Sequence, residues 1–155
     1  MARGLAPVLI LGVALTACAP KLPEGVDAAA LDEAVARAVG SPSTCVVVEK
    51  RDGGVVYRYG THTTCARSLP ACDAPGLTTI QTQLDAARTG KVRTASCDTA
   101  EEASRGVAWA SGPLPVLAGK GDRQMVYAVF MESGDALSGL ETKRRLEAAF
   151  ERAGL

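Results

Sequence analysis

Apolar and polar positions alternate along the chain in runs that define most of its elements. From Ala28 to Val39, Leu31, Val35 and Ala38 recur on one helical face behind Asp27, which can cap a helix. Gly40 followed by Ser41-Pro42 ends the run. Cys45 to Glu49 is β-branched and extended in character, Asp52-Gly53-Gly54 has the composition of a hairpin turn, and Val55 to Tyr59 is the return strand. Gly60 to Gly76 has no periodicity and reads as a loop carrying His62, Cys65 and Cys72. Thr78 and Gln81 have the spacing of a capping box. They open a helix to about Arg88 with Ile80, Leu84 and Ala87 on one side, and Gly90 stops it. Val92 to Ser96 is a short strand. Gly106 to Ser111 is a clearer one, ended by Gly112-Pro113-Leu114-Pro115, and Gly119 to Asp122 is a polar turn. Met125 to Met131 is apolar at every position, as a central strand covered on both faces must be. Ser138 and Glu141 form a second capping box for a helix to about Ala153. Leu146, Ala149, Phe150 and Ala153 form a narrow stripe on it, and Glu141–Arg145 and Lys143–Glu147 are i,i+4 pairs on the wet side.

These elements follow the order α-β-β-α-β-β-β-α. One antiparallel sheet of about five strands with helices packed on it satisfies that order, so the expected class is α+β. Over residues 28–153 the order resembles the profilin-like arrangement, including roadblock/longin and small sensory domains of the PAS type. That resemblance implies a fold only and assigns no functional residue.

The first 17 residues stand apart. Arg3 supplies a positive charge, and Leu5 to Leu15 is an apolar run of about eleven residues, the length of a secretory signal and too short to span a bilayer. Ala17-Cys18-Ala19 is formally an A-x-A cleavage site, but cutting there leaves Pro20 first. Leu15-Thr16-Ala17-Cys18 resembles the lipobox of bacterial lipoproteins at all four positions. The resemblance implies cleavage before Cys18 and a diacylglycerol thioether on it, which turns a soluble domain into an anchored one. Ala19 occupies the place where Asp usually retains lipoproteins of Gram-negative bacteria in the inner membrane, so the resemblance points to the outer membrane, facing the periplasm. The expected organisation is a signal over 1–17, a Pro-containing tether over 18–25 and one α+β domain over 26–155.

Charge and cysteine content narrow the chemistry. Losing Arg3 with the leader leaves 16 basic against 17 acidic residues in the mature chain. With no basic block or aromatic–basic interleaving, nucleic acid is not an expected partner. Four cysteines remain after Cys18: Cys45, Cys65, Cys72 and Cys97. An even number in an exported chain reads as two disulfides. With no C-x-x-C and His62 the lone histidine, neither a metal site nor a redox dithiol is expected. Three pairings are open. Cys65–Cys72 with Cys45–Cys97 is slightly preferred, because the first closes a short Pro-containing loop.

Candidate sites are few. His62, among Thr61, Thr63 and Thr64, has the titration range of a general base, and its plainer reading is an exposed loop histidine hydrogen-bonded by threonines. Ser111, before Gly112-Pro113, has the position of a strand-end nucleophile, yet Trp109 stands where G-x-S-x-G requires glycine. Trp109 is read as a core anchor or, alternatively, the wall of a ligand pocket. Asp98, Glu101 and Glu102 lack the spacing of a calcium loop and more simply belong to a capped turn toward Ser104. Lys143-Arg144-Arg145 is a small basic cluster on a solvated helix face, and Gly119-Lys120-Gly121 lacks the rest of a phosphate loop. No cofactor motif is present. The leading expectation is a non-catalytic envelope lipoprotein, held to the membrane at Cys18, whose domain binds another envelope protein or serves as a scaffold. The alternatives are a small-molecule binding or sensing domain with a pocket beside Trp109, and a hydrolase using Ser111 or His62.

Overall fold

The computed structural model describes residues 20–99, 105–115, 117 and 124–155. The leader, Cys18, Glu101, Glu102 and the Gly119-Lys120-Gly121 turn lie outside the described residues.

Helix α1 (Ala28–Val39) is capped by the Asp27 carboxylate, which accepts from the Ala30 amide at 2.7 Å. It leads into strand β1 (Cys45–Lys50), the Asp52-Gly53-Gly54 turn and strand β2 (Val55–Tyr59). Gly53 and Gly54 both have φ near +90° to +100°, the conformation that L side chains avoid and that this turn requires. Residues 60–76, expected to be an unstructured loop, instead hold a single helical turn α2 (His62–Cys65), capped by Thr61, and strand β3 (Ser68–Pro70). β3 pairs with β4 (Leu77–Thr79) as a small second sheet.

Helix α3 (Ile80–Arg88) starts one residue later than the capping-box spacing predicts. Thr79, not Thr78, accepts from the Thr82 amide, while Gln81 donates to Asp85 instead of reaching back to the cap. Thr78 is buried and receives the Gln83 side chain, so its half-buried neighbour Thr79 takes the cap. Strands β5 (Arg93–Asp98), β6 (Gly106–Pro113) and β7 (Met125–Ser133) follow, then helix α4 (Gly139–Arg152). Ser138 caps α4 as expected, but Glu141 turns to Arg144 and Arg145 rather than closing the box.

The main sheet is five-stranded and wholly antiparallel, in the order β2-β1-β7-β6-β5, and the protein is α+β. β7 is its central strand. Met125, Tyr127, Val129 and Met131 face one core, where α1 and α4 pack together and Leu31, Val35, Leu146 and Phe150 lie. Val126, Ala128 and Phe130 face the other, beneath α3 and the 62–79 excursion, with Trp109, Leu84 and Leu69. An unbroken apolar run is therefore what this strand needs, since neither face meets water.

The chain before α1 is less free than a tether. Leu22 and Val26 pack against the α1/α4 core, and the Val26 amide donates to the Pro23 carbonyl. No helix among the described residues is long and apolar enough to cross a membrane.

Candidate functional site

Cys45 bonds to Cys65 and Cys72 to Cys97, with Cα atoms 5.1 and 5.4 Å apart. The preferred sequence pairing, Cys65–Cys72 with Cys45–Cys97, is therefore wrong. The physical reason is the path of the chain between residues 65 and 72. Through β3 the backbone is extended and advances about 3.3 Å per residue, so it outruns the roughly 7 Å limit for bridging two Cα atoms. Cys65 stays beside β1 and β2, its sulfur 3.8 Å from the Tyr59 carbonyl. By residue 71 the chain has crossed to the β5–β6 side, where the Ala71 carbonyl accepts from the Trp109 indole and Asp73 pairs with Arg93. Each end of the excursion is thus stapled to the sheet by its own disulfide.

Ser111 is fully buried on β6. Its hydroxyl donates to the Gln83 side-chain carbonyl at 3.2 Å, and the Gln83 amide in turn donates to Thr78 at 2.8 Å. A serine in that position is a link in a buried hydrogen-bonded chain. His62 sits elsewhere, exposed at the start of α2. The hydroxyls of Thr61 and Thr64 bond to each other at 2.8 Å, and among the described residues no threonine bonds the imidazole. The two proposed catalytic groups share no contact.

Trp109 is completely buried. Its N–H is satisfied by Ala71 at 3.1 Å, and the Arg93 guanidinium lies over the ring, 5.2 Å from its centroid. The ring fills the core under α3 and forms no wall of an open pocket.

A concavity lies where α3 leaves the sheet uncovered. α3 packs over β6 and β7, so the same face of β1 and β2 is open between α3 and α2. The resulting groove, about 350 Å³, has Val47, Val55, Ile80 and Leu84 along its floor and Arg58 and His62 on its rim. Glu49 also borders it, but this buried carboxylate is neutralised by Arg88, which also holds Asp85. Beside the groove, β2 is a sheet edge with no further strand among the described residues. The combination of an apolar floor, the Arg58 guanidinium on the rim and a backbone edge suits a peptide segment better than a reacting small molecule. Among the described residues, no cluster of three or more His, Cys, Asp or Glu is placed to hold a metal.

The sequence reading missed Gln83 and Arg58. Gln83 was legible in principle, since it shares the helical face of Ile80, Leu84 and Ala87 and so had to be buried with a partner. Arg58 carries no local signal, because its place on the rim depends on where α3 crosses the sheet.

No protein family, curated protein or solved structure matches the chain.

Proposed function

We propose that the chain is an exported, lipid-anchored lipoprotein of the cell envelope, and that its domain binds another protein or acts as a scaffold without catalysis. The observation that carries the reading is the lipobox Leu15-Thr16-Ala17-Cys18 at the end of a secretory h-region. Two disulfides are what an oxidising compartment permits, and they support the same reading. The mature chain then starts at Cys18 and sits on the periplasmic side of the outer membrane. Intact-mass measurement of membrane-extracted protein tests this. A chain beginning at residue 18 with added acyl mass, lost in Cys18→Ser, is expected. A soluble chain with another N-terminus refutes it.

The protein-binding role is supported by the groove between α2 and α3 and by the β2 edge. A photo-crosslinking residue at His62 should capture a partner in the native envelope, while one at Glu151 on the exposed side of α4 should not. A small-molecule sensing domain is the second reading. It draws on the same groove and on the profilin-like element order, and predicts a low-mass ligand co-purifying with the domain.

A further inference from the structure

The path of the chain before α1 places the anchor beside a particular end of the sheet. Pro20 and Lys21 share one cleft with Lys50, Asp52, Gly53 and Gly54 of the β1–β2 hairpin. Leu22 and Val26 then pack on the core. Only Ala19 separates Pro20 from Cys18. Two residue steps reach about 7 Å at full extension. If Cys18 carries the lipid, the anchor is two residue steps from the cleft that Pro20 shares with the hairpin, which turns the hairpin end toward the bilayer.

That end is also where the chain leaves cations without acidic partners. Lys21, Lys50 and Arg51 are exposed and, among the described residues, make no ion pair. The arginines elsewhere are mostly engaged: Arg37 with Glu33, Arg93 with Asp73, and Arg144 and Arg145 with Glu141. Asp52 is the acidic residue of the turn itself, so the hairpin end carries three cations against one carboxylate, while Glu132 at the opposite end is paired with Arg67. Lys50 lies across from Met125 at the start of β7, whereas Glu132 near its other terminus lies across from Val107, one residue from the Asp98–Gly106 pair.

We propose that the hairpin end of the sheet is a bilayer-contact surface: Lys21, Lys50 and Arg51 take anionic phospholipid headgroups and hold the domain in one orientation. This rests on Cys18 being the lipid anchor. A protein partner at this end would have to share its space with the membrane, whereas headgroups are already within reach. Each cation brought to an anionic surface strengthens the contact by roughly five-fold, and salt screens it.

The test uses the lipidated mature chain, its acyl mass first verified, in vesicles of phosphatidylcholine with or without phosphatidylglycerol. Amine acylation is followed residue by residue. In anionic vesicles Lys21 and Lys50 should react several-fold more slowly than in neutral ones. Lys143, paired with Glu147 on α4, should be unchanged and serves as internal reference. Added salt should restore the rates, and a Lys50→Glu/Arg51→Glu chain, still lipidated, should lose the dependence of Lys21 on lipid composition. Equal rates in the two membranes with acyl mass present overturn the surface and leave the anchor standing. Absence of acyl mass on the native chain removes the anchor and this surface with it.

Discussion

The Ser111 hydroxyl and the Gln83 side-chain carbonyl meet at 3.2 Å, with both residues almost wholly buried. The contact joins β6 to α3 across the second core, and Gln83 passes the network on to Thr78. A hydroxyl committed in this way is not presented to a substrate. Ser111→Ala should leave the Gln83 carbonyl oxygen buried without its donor and cost about 1–3 kcal/mol in chemical denaturation. A serine-directed fluorophosphonate should not label the native protein. Labelling at Ser111, or a loss well under about 0.5 kcal/mol, would mean that the serine faces solvent.

The disulfides should both form, and none of Cys45, Cys65, Cys72 and Cys97 should be labelled by a thiol reagent in the denatured, unreduced chain. Peptide mapping without reduction should recover Cys45 linked to Cys65 and Cys72 linked to Cys97. The two bridges span 20 and 25 residues. Loop entropy then makes them nearly equal, about 3 kcal/mol each. Cys45→Ala/Cys65→Ala frees one end of the 62–79 excursion and Cys72→Ala/Cys97→Ala the other, so similar losses of stability are expected. Recovery of a Cys65–Cys72 peptide would contradict the crossing of the sheet by β3.

Period and neighbourhood made the main sheet and three long helices readable from the chain alone. Seven apolar residues from Met125 to Met131 leave only an interior strand, and β7 is the middle of five. The stripe Leu146, Ala149 and Phe150 is buried in α4, while Ala153, read as its last member, lies at the cap and is only partly covered. Residues 62–79 were not readable, because short elements without periodicity are fixed by what they cross. Leu69, Cys65 and Cys72 belong to the second core only because the excursion runs over it. The disulfide pairing failed for the same reason: proximity in sequence says little once the intervening backbone is extended. The groove is a product of α3 lying over β6 and β7 rather than over β1, a choice no local residue announces.

Phe150 tests the placement of α4. Its ring lies edge-on to Tyr127 with centroids 5.6 Å apart, and the residue is 1% exposed. Truncation to alanine removes that contact and opens a cavity between α4 and the sheet, so Phe150→Ala should cost about 3–5 kcal/mol. Glu151, the next residue, is exposed. Glu151→Ala should stay within about 0.5 kcal/mol. Comparable losses from both, measured by urea denaturation, would place the helix on the wrong face.

Tyr127 and Tyr57 set the response of the fold to alkali. The Tyr127 hydroxyl donates to Glu147 at 2.8 Å, and that of Tyr57 to Asp32 at 2.9 Å. Burial is the main reason that both phenols are pushed above their ordinary range. The adjoining carboxylate, Glu147 or Asp32, adds to it by disfavouring a second negative charge. In the unfolded chain a phenol ionises near pH 10. Above that pH the folded state binds more protons than the unfolded one, so stability falls as pH rises. The contribution is fully present below about pH 10 and is lost progressively above it. The denaturation midpoint should therefore decline between about pH 9 and about pH 11, and less steeply in Tyr127→Phe, which has no proton to lose there. In Tyr59→Phe, where only Tyr57 and Tyr127 remain, phenolate absorbance should rise only together with loss of the native circular dichroism. Absorbance rising while the native signal persists would show that at least one of the two hydroxyls reaches solvent, and the packing of its helix on the sheet would have to be redrawn.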